Sequence, residues 1–128
     1  MTERLSIALR ARRAAGQPVR KDEFLGPLGL QEHLHELVED PELRSARLEL
    51  SSGLPLEEAL RRTTRWLTGH EPAVFERLRE VGLQLDLEII AHGDGLRLRL
   101  PPALLVACGR RELPISVIGP RSPGLGQA

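Results

Sequence analysis

The chain has no net charge to offer a phosphate backbone. Its 18 basic and 18 acidic side chains cancel, whereas surfaces built to hold nucleic acid carry a clear basic excess; nucleic acid is therefore not the expected partner. One cysteine, Cys108, excludes an internal disulfide and fits a reducing compartment. No apolar run approaches the roughly 18 residues of a membrane span. The opening Met1-Thr-Glu-Arg-Leu-Ser6 lacks the apolar core of a secretory signal. No membrane association is expected, and the cytoplasm is the expected location. Tyrosine and asparagine are absent, Trp66 is the one tryptophan and Lys21 the one lysine. That bias suggests a GC-rich coding genome and carries no functional information.

What is present is leucine, regularly spaced. At 128 residues the chain makes about one domain and can bury a core without staples. Leu83, Leu85, Leu87 and Ile89 alternate with Gln84, Asp86 and Glu88, and Leu96, Leu98 and Leu100 alternate with Arg97 and Arg99. Side chains alternate faces along a strand, so this pattern predicts a sheet with one dry and one wet face. A turn at His92-Gly-Asp-Gly95 would join the two strands as a hairpin. Pairing Ala91 with Leu96 then sets Ile89 against Leu98, Leu87 against Leu100 and Glu88 against Arg99.

Strands are also expected around Leu5–Arg10, Ala46–Leu50 and Leu113–Ile118, the last starting late or lying at an edge because Pro114 has no N–H. Leu30, Leu34, Leu37 and Val38 are spaced for a helix over 30–39, ended by Asp40-Pro41. The main helix follows Pro55, with Leu56, Leu60, Thr63 and Leu67 on one line and with Glu57–Arg61 and Glu58–Arg62 pairs at i,i+4. Gly69 ends it, Pro72 opens the next helix and Gly82 caps that one in a left-handed conformation. A short helix runs over 103–108. The expected order is β, α, β, α, α, β, β, α, β. That is an α+β domain over residues 1–119: a two-layer sandwich with a mainly antiparallel sheet of about five strands and helices packed on one face. A loose tail over 120–128 completes it.

Reactive groupings are few. His33 and His35 stand at i and i+2 on a helix and point apart, so they do not make a metal pair. His92 and Asp94 share a turn where imidazole and carboxylate can meet as a general-base pair, although Gly-Asp-Gly is also ordinary turn chemistry. Gly93-x-Gly95 is no dinucleotide fingerprint. Cys108 sits in an apolar helix as a structural thiol, and Ser51-Ser52 suit turn or capping work. No catalytic residue, metal or cofactor is assigned.

Two charge blocks remain. Arg10, Arg12, Arg13, Arg20 and Lys21 form a basic stretch, and Glu32, Glu36, Glu39, Asp40 and Glu42 an acidic one. They either neutralise each other and stay solvated, or the acidic helix face of Glu32, Glu36, Glu39 and Asp40 docks a partner. Trp66, on the flank of the main helix, either caps the core edge or anchors that partner.

The run Leu56–Gly82, Leu83–Ala91, Gly95-Leu-Arg-Leu-Arg-Leu-Pro-Pro-Ala-Leu-Leu105 and Leu113–Gly119 resembles a family of small bacterial domains of unknown function (4279). The shared layout is a long helix, a strand, a leucine-proline segment, a short helix and a final strand. Proteins of this kind resemble toxin-associated immunity proteins, so the resemblance implies a non-enzymatic binding protein that occludes the active site of a cognate protein toxin. Two readings compete with it: a small enzyme or ligand-binding domain using His92 and Asp94, and a structural or regulatory homodimer built on the open sheet face or an edge strand.

Overall fold

The computed structural model describes residues 4–13, 17–29, 37–40, 45–92 and 98–119. Along them run β1 (Arg4–Arg13), α1 (Lys21–Leu25), β2 (Leu37–Asp40), β3 (Ser45–Pro55), α2 (Leu56–Thr68), α3 (Pro72–Glu80), β4 (Leu83–His92), α4 (Pro102–Arg110) and β5 (Ile115–Ile118). The class is α+β, as the leucine pattern implies. The strands lie in the order β2-β3-β1-β4-β5. Neighbours run antiparallel except β4 and β5, which are parallel. The sheet is thus mixed, and α4 supplies the crossover that a parallel pair requires.

β1 lies in the middle, flanked by β3 and β4. Leu5, Ile7, Leu9 and Ala11 show no exposed surface. Leu9 stands beside Leu48 and Leu87, and Ala11 beside Ala46 and Leu85. α2 packs on β1 and β3, α3 on β4, and α4 on α2. Phe24, Leu25, Leu67, Phe75, Leu78 and Leu104 fill the space between, all without exposed surface. Among the described residues no helix is long and apolar enough to cross a membrane.

Two expectations are overturned. Residues 37–40 are strand β2, paired with β3 through Glu39–Ala46 and Asp40–Ser45, and do not continue a helix over 30–39. The i, i+3, i+4 spacing of leucines was satisfied by too few turns to outweigh a ladder of backbone hydrogen bonds to β3. Residues 30–36, with Glu32, His33, His35 and Glu36, lie outside the described residues, as do Glu42, Asp94 and the expected tail over 120–128.

The expected hairpin after β4 is also not formed by the described residues. Residues 98–100 are not a strand, and β4 is flanked by β1 and β5. Leu87 sits beside Leu9 and Ile115, and Glu88 beside Ala8 and Ser116. The alternating pattern of β4 needs apolar neighbours on one side and polar ones on the other. Both β1 and β5 provide them, so register alone could not select a partner. Leu98 and Leu100 still pack against the core as half-buried residues. The other partner residues of that hairpin, 96 and 97, lie outside the described residues.

Local chemistry explains the remaining joints. β5 begins after Pro114 and forms an edge of the sheet, as the missing N–H suggests, while the Pro114 carbonyl accepts Leu87 N–H at 2.8 Å. Gly82 ends α3 at φ +92°, and the Arg13 guanidinium lies 3.2 Å from where a β-carbon would stand. Arg13 donates to the Val81 carbonyl at 2.8 Å and pairs with Glu23, which ties α1 to β1. Beyond α4 the buried Arg111 donates to the His70 carbonyl at 3.0 and 2.7 Å and to the Ala107 carbonyl at 3.0 Å. These oxygens lie just past the end of α2 and in the last turns of α4, where a helix favours a cation. Burial lowers the Arg111 pKa, with repulsion from Arg110 acting the same way.

On α2, Leu60, Thr63 and Leu67 are buried as expected, Ala59 joins them and Leu56 is half-buried. Thr63 has no exposed surface, and its hydroxyl has no hydrogen-bond partner. A buried hydroxyl left without a partner costs about 1–3 kcal/mol. Thr63→Val, of the same shape, is expected to raise stability by about 1 kcal/mol, read as a higher urea midpoint at unchanged slope.

Candidate functional site

Of the residues singled out for partner binding, the structure describes Glu39, Asp40 and Trp66. Glu39 and Asp40 lie on the edge strand β2, and Glu32 and Glu36 lie outside the described residues. Three arginines of the basic block meet acids from outside the acidic stretch. Arg10 pairs with Asp86 and Glu88, Arg13 with Glu23, and Arg20 approaches Asp22 at 3.6 Å. Trp66 is half-buried at the core edge: its ring lies 4.3 Å from that of His70 and meets Phe75 edge-on at 6.3 Å. His70 Nδ1 is 2.9 Å from the Trp66 carbonyl.

The face of α2 across the buried stripe from Trp66 borders a groove of about 740 Å³, closed on its far side by residues 99–103. Leu56, Leu60, Pro101 and Ala103 supply apolar lining. Arg61, Arg65 and Arg99 supply three guanidiniums against the single carboxylate of Glu57, and all four of these charged side chains are exposed. The Thr64 and Thr68 hydroxyls are spent on their own helix, donating to the Leu60 carbonyl at 2.8 Å and the Arg65 carbonyl at 3.1 Å. The groove therefore presents grease and positive charge. Away from the groove, the Arg111 guanidinium ties the segment after α2 to the last turn of α4. In the sequence, Arg61 appeared as the partner of Glu57 and Arg99 as a strand residue facing Glu88. Their meeting depends on the path after β4, which local pattern did not reveal.

The opposite face of the sheet carries a second arrangement. Arg10 Nε donates to Asp86 Oδ1 at 2.9 Å, and a second Arg10 nitrogen pairs with Oδ2. Arg10 Nη1 lies 3.3 Å from Glu88 Oε2, and Arg47 Nε lies 3.1 Å from Glu88 Oε1. Ser116 donates to Asp86 Oδ2 at 3.1 Å. The chain Arg47, Glu88, Arg10, Asp86, Ser116 thus crosses β3, β4, β1, β4 and β5. The Glu88 side chain has no exposed surface. The hydrogen bond that Arg10 donates to Asp86 raises the Arg10 pKa; burial works against it, and the charges of Asp86 and Glu88 add to the rise.

Beside this ladder lies a hollow of about 90 Å³ bordered by Ser6, Arg47, Glu49, Ser51 and Glu88, with Ile7, Ala8 and Ile90 as its apolar part. Two register shifts in the β1–β3 pairing create it, opposite Ser6 and Ile7, as bulges do where strands bend. At its margin Ser6 Oγ and His92 Nε2 are 2.7 Å apart, and Gly53 N–H donates to Ser6 Oγ at 3.1 Å. His92 thus meets Ser6; Asp94, its expected partner, is outside the described residues. Among the described residues no three histidine, cysteine or acidic groups gather in a way that could hold a metal ion.

Cys108 is 2% exposed. Burial pushes its thiol up to about 11 from an ordinary value of 9.0, against the opposing pull of Arg111. This is the environment of an inert thiol, because the thiolate is the nucleophile. Comparison with known protein families, curated proteins and solved structures finds no match.

Three outcomes follow. Arg10→Met leaves a buried carboxylate with half its cations; it is expected to cost about 2–3 kcal/mol in denaturant unfolding, below the fully buried range because Arg10 keeps some solvent contact. Cys108 should react with a thiol reagent at pH 8 at least about 100-fold more slowly in the folded protein than in the denatured chain, from ionisation alone. The folded state also holds this proton above pH 9, where the unfolded chain releases it, so native stability declines as pH rises from about 9 towards 11.

Proposed function

We propose that the chain is a non-enzymatic binding protein, in the narrower reading an immunity protein that neutralises a cognate toxin by covering its active site. The finer architecture belongs to this proposal: a two-layer sandwich whose helices close one side of the sheet and present the α2–α4 groove as the docking surface. The groove carries the reading. At about 740 Å³ it falls in the range of preformed binding clefts, roughly 300–1,000 Å³. Its apolar lining suits one or two large side chains from the partner. Its three arginines against one glutamate select an acidic segment around them. This reverses the polarity expected from the acidic stretch: the partner's docking segment is acidic, not basic.

A second reading has one observation in its favour. Ser6 and His92 stand at the separation of a nucleophile and its general base. Acyl transfer also needs donors aimed at the substrate's oxyanion, and Gly53 N–H points at the serine oxygen itself. We therefore rank this geometry second.

Calorimetric titration against the product of the neighbouring gene tests the first reading. A one-to-one complex that weakens with added salt is expected. Arg61→Glu with Arg65→Glu should lower affinity at least about 30-fold, the equivalent of about 2 kcal/mol, with unchanged circular dichroism. Equal affinity of the double variant removes the groove as the docking surface. Hydrolysis of a small activated ester that disappears in Ser6→Ala would move the second reading to first place, and light scattering that finds a dimer of the chain alone would favour the homodimer.

A further inference from the structure

The groove beside α2 is amphipathic across its width. Its lining takes two adjacent rows of the helix, Leu56, Leu60, Thr64 and Thr68 in one and Glu57, Arg61 and Arg65 in the other. Each row steps by four residues and so runs nearly along the axis; together they cover about 18 Å of helix. The first row borders the buried stripe: Leu60 is buried, and Leu56 and Thr64 are half-buried. The second row is exposed throughout. The other wall brings Arg99 beside Pro101 and Ala103. Because the Thr64 and Thr68 hydroxyls donate to their own helix, the donors left for an occupant's polar end are the guanidiniums. An occupant needs an apolar body for the floor and an anionic head for the rim.

The rim also sets the charge of that head. Three guanidiniums against one carboxylate leave an excess of two positive charges. A single carboxylate answers one of them. A phosphate monoester, at about −1.5 to −2 near neutral pH, answers both. Its three oxygens suit guanidiniums arriving from two walls, since arginine presents paired N–H donors to phosphate. Arg61 and Arg65, four residues apart on one helix face, have β-carbons about 5–6 Å apart, close enough for both side chains to reach one phosphate.

We propose that the groove binds a small amphiphile with a phosphate monoester head. Its alkyl or isoprenyl tail lies over Leu56, Leu60, Pro101 and Ala103, and Arg61, Arg65 and Arg99 hold the head. This rests on the reading of the groove as a binding cleft and adds a regulation to it: an acidic docking segment and the amphiphile need the same arginines, so each excludes the other.

The test titrates octyl phosphate, kept below its micelle concentration, into the whole chain and follows amide proton–nitrogen correlation spectra. Saturable shifts are expected at Leu60, Arg61, Thr64 and Ala103, with a dissociation constant of about 1 mM, as a ligand of this size allows. Octanoate should bind about fivefold more weakly, octanol and inorganic phosphate at least tenfold more weakly, and octylammonium not at all. Arg99→Gln should weaken octyl phosphate about fivefold. Ala103→Glu puts an acid in the first turn of α4, where a helix favours it, and should weaken octyl phosphate about tenfold with unchanged circular dichroism. The proposal is overturned if octyl phosphate up to about 10 mM gives no saturable shift, or if octanol, octylammonium or inorganic phosphate binds equally well. Octanoate matching octyl phosphate overturns the phosphate head. Octyl phosphate binding by a chain that ignores the product of the neighbouring gene supports the ligand and removes the docking reading; the reverse result removes the ligand and keeps the docking reading.

Discussion

A carboxylate without solvent sits at the centre of this sheet. Glu88 shows no exposed side-chain surface, and a charge removed from water persists only where cations and hydrogen bonds replace the water. Two do so here, both from the same side of β4: Arg10 on β1 and Arg47 on β3 beyond it. That requirement fixes more than one pairing. It demands that β1 lie between β3 and β4, and that Arg10 and Arg47 be cross-strand neighbours, as they are. Two like charges placed side by side are tolerated because the acids of β4 stand between and beyond them. The apolar side of the same strands would accept several registers of leucine against leucine; the charged side accepts few. Hydrophobic burial makes the sheet stable, and the ion ladder makes one arrangement of it preferable.

The same division between stability and selectivity runs through the helices. α2 gives one stripe to the core, with Leu60, Thr63 and Leu67 buried. Its two flanks then have different uses. Trp66 on one flank lies against His70, meets Phe75 edge-on and finishes the edge of the core. Arg61 and Arg65 on the other flank face the groove. The relation of α2 to α4 does not rest on apolar contact alone, because Arg111 bonds the Ala107 carbonyl of α4 and the His70 carbonyl just past α2. A guanidinium has donors enough to reach two helix ends at once, and those ends supply partial negative charge in place of a carboxylate.

Alternation and punctuation were legible in the residues themselves. Leu5 to Ala11, Leu83 to Ala91, the stripe of α2, the left-handed Gly82 and the late start at Pro114 all follow from rules that act over a few neighbours. Whatever needed a partner from elsewhere in the chain was not legible. Leu83–His92 announces a strand but not its neighbours, since Leu98 and Leu100 offer the same pattern as Leu9 and Ala11. Leu37 and Val38 fit a helix by spacing, yet backbone pairing with β3 takes them. Glu88 was rightly read as an acid opposite an arginine, with the wrong arginine: the pairing rule holds, and topology chooses the residue. The hollow was invisible for the same reason. Ser6, Arg47, Ser51 and Glu88 come from three strands, and none of them carries a motif.

The groove and the hollow face opposite ways, yet a short stretch of chain joins them. β3 contributes Arg47, Glu49 and Ser51 to the hollow and then passes directly into α2, whose first residue, Leu56, already lines the groove. Gly53 stands between them at φ +60°, a backbone state in which a residue with a β-carbon is strained. Both of its polar groups are held from β1: its N–H by Ser6 and its carbonyl by Arg4 at 2.5 Å. A glycine free to turn is thus pinned on both sides by one strand. The path from the hollow to the first turn of α2 is set by those two hydrogen bonds. Ser6, already in contact with His92, is therefore the residue through which the margin of the hollow and the start of the groove share a backbone geometry.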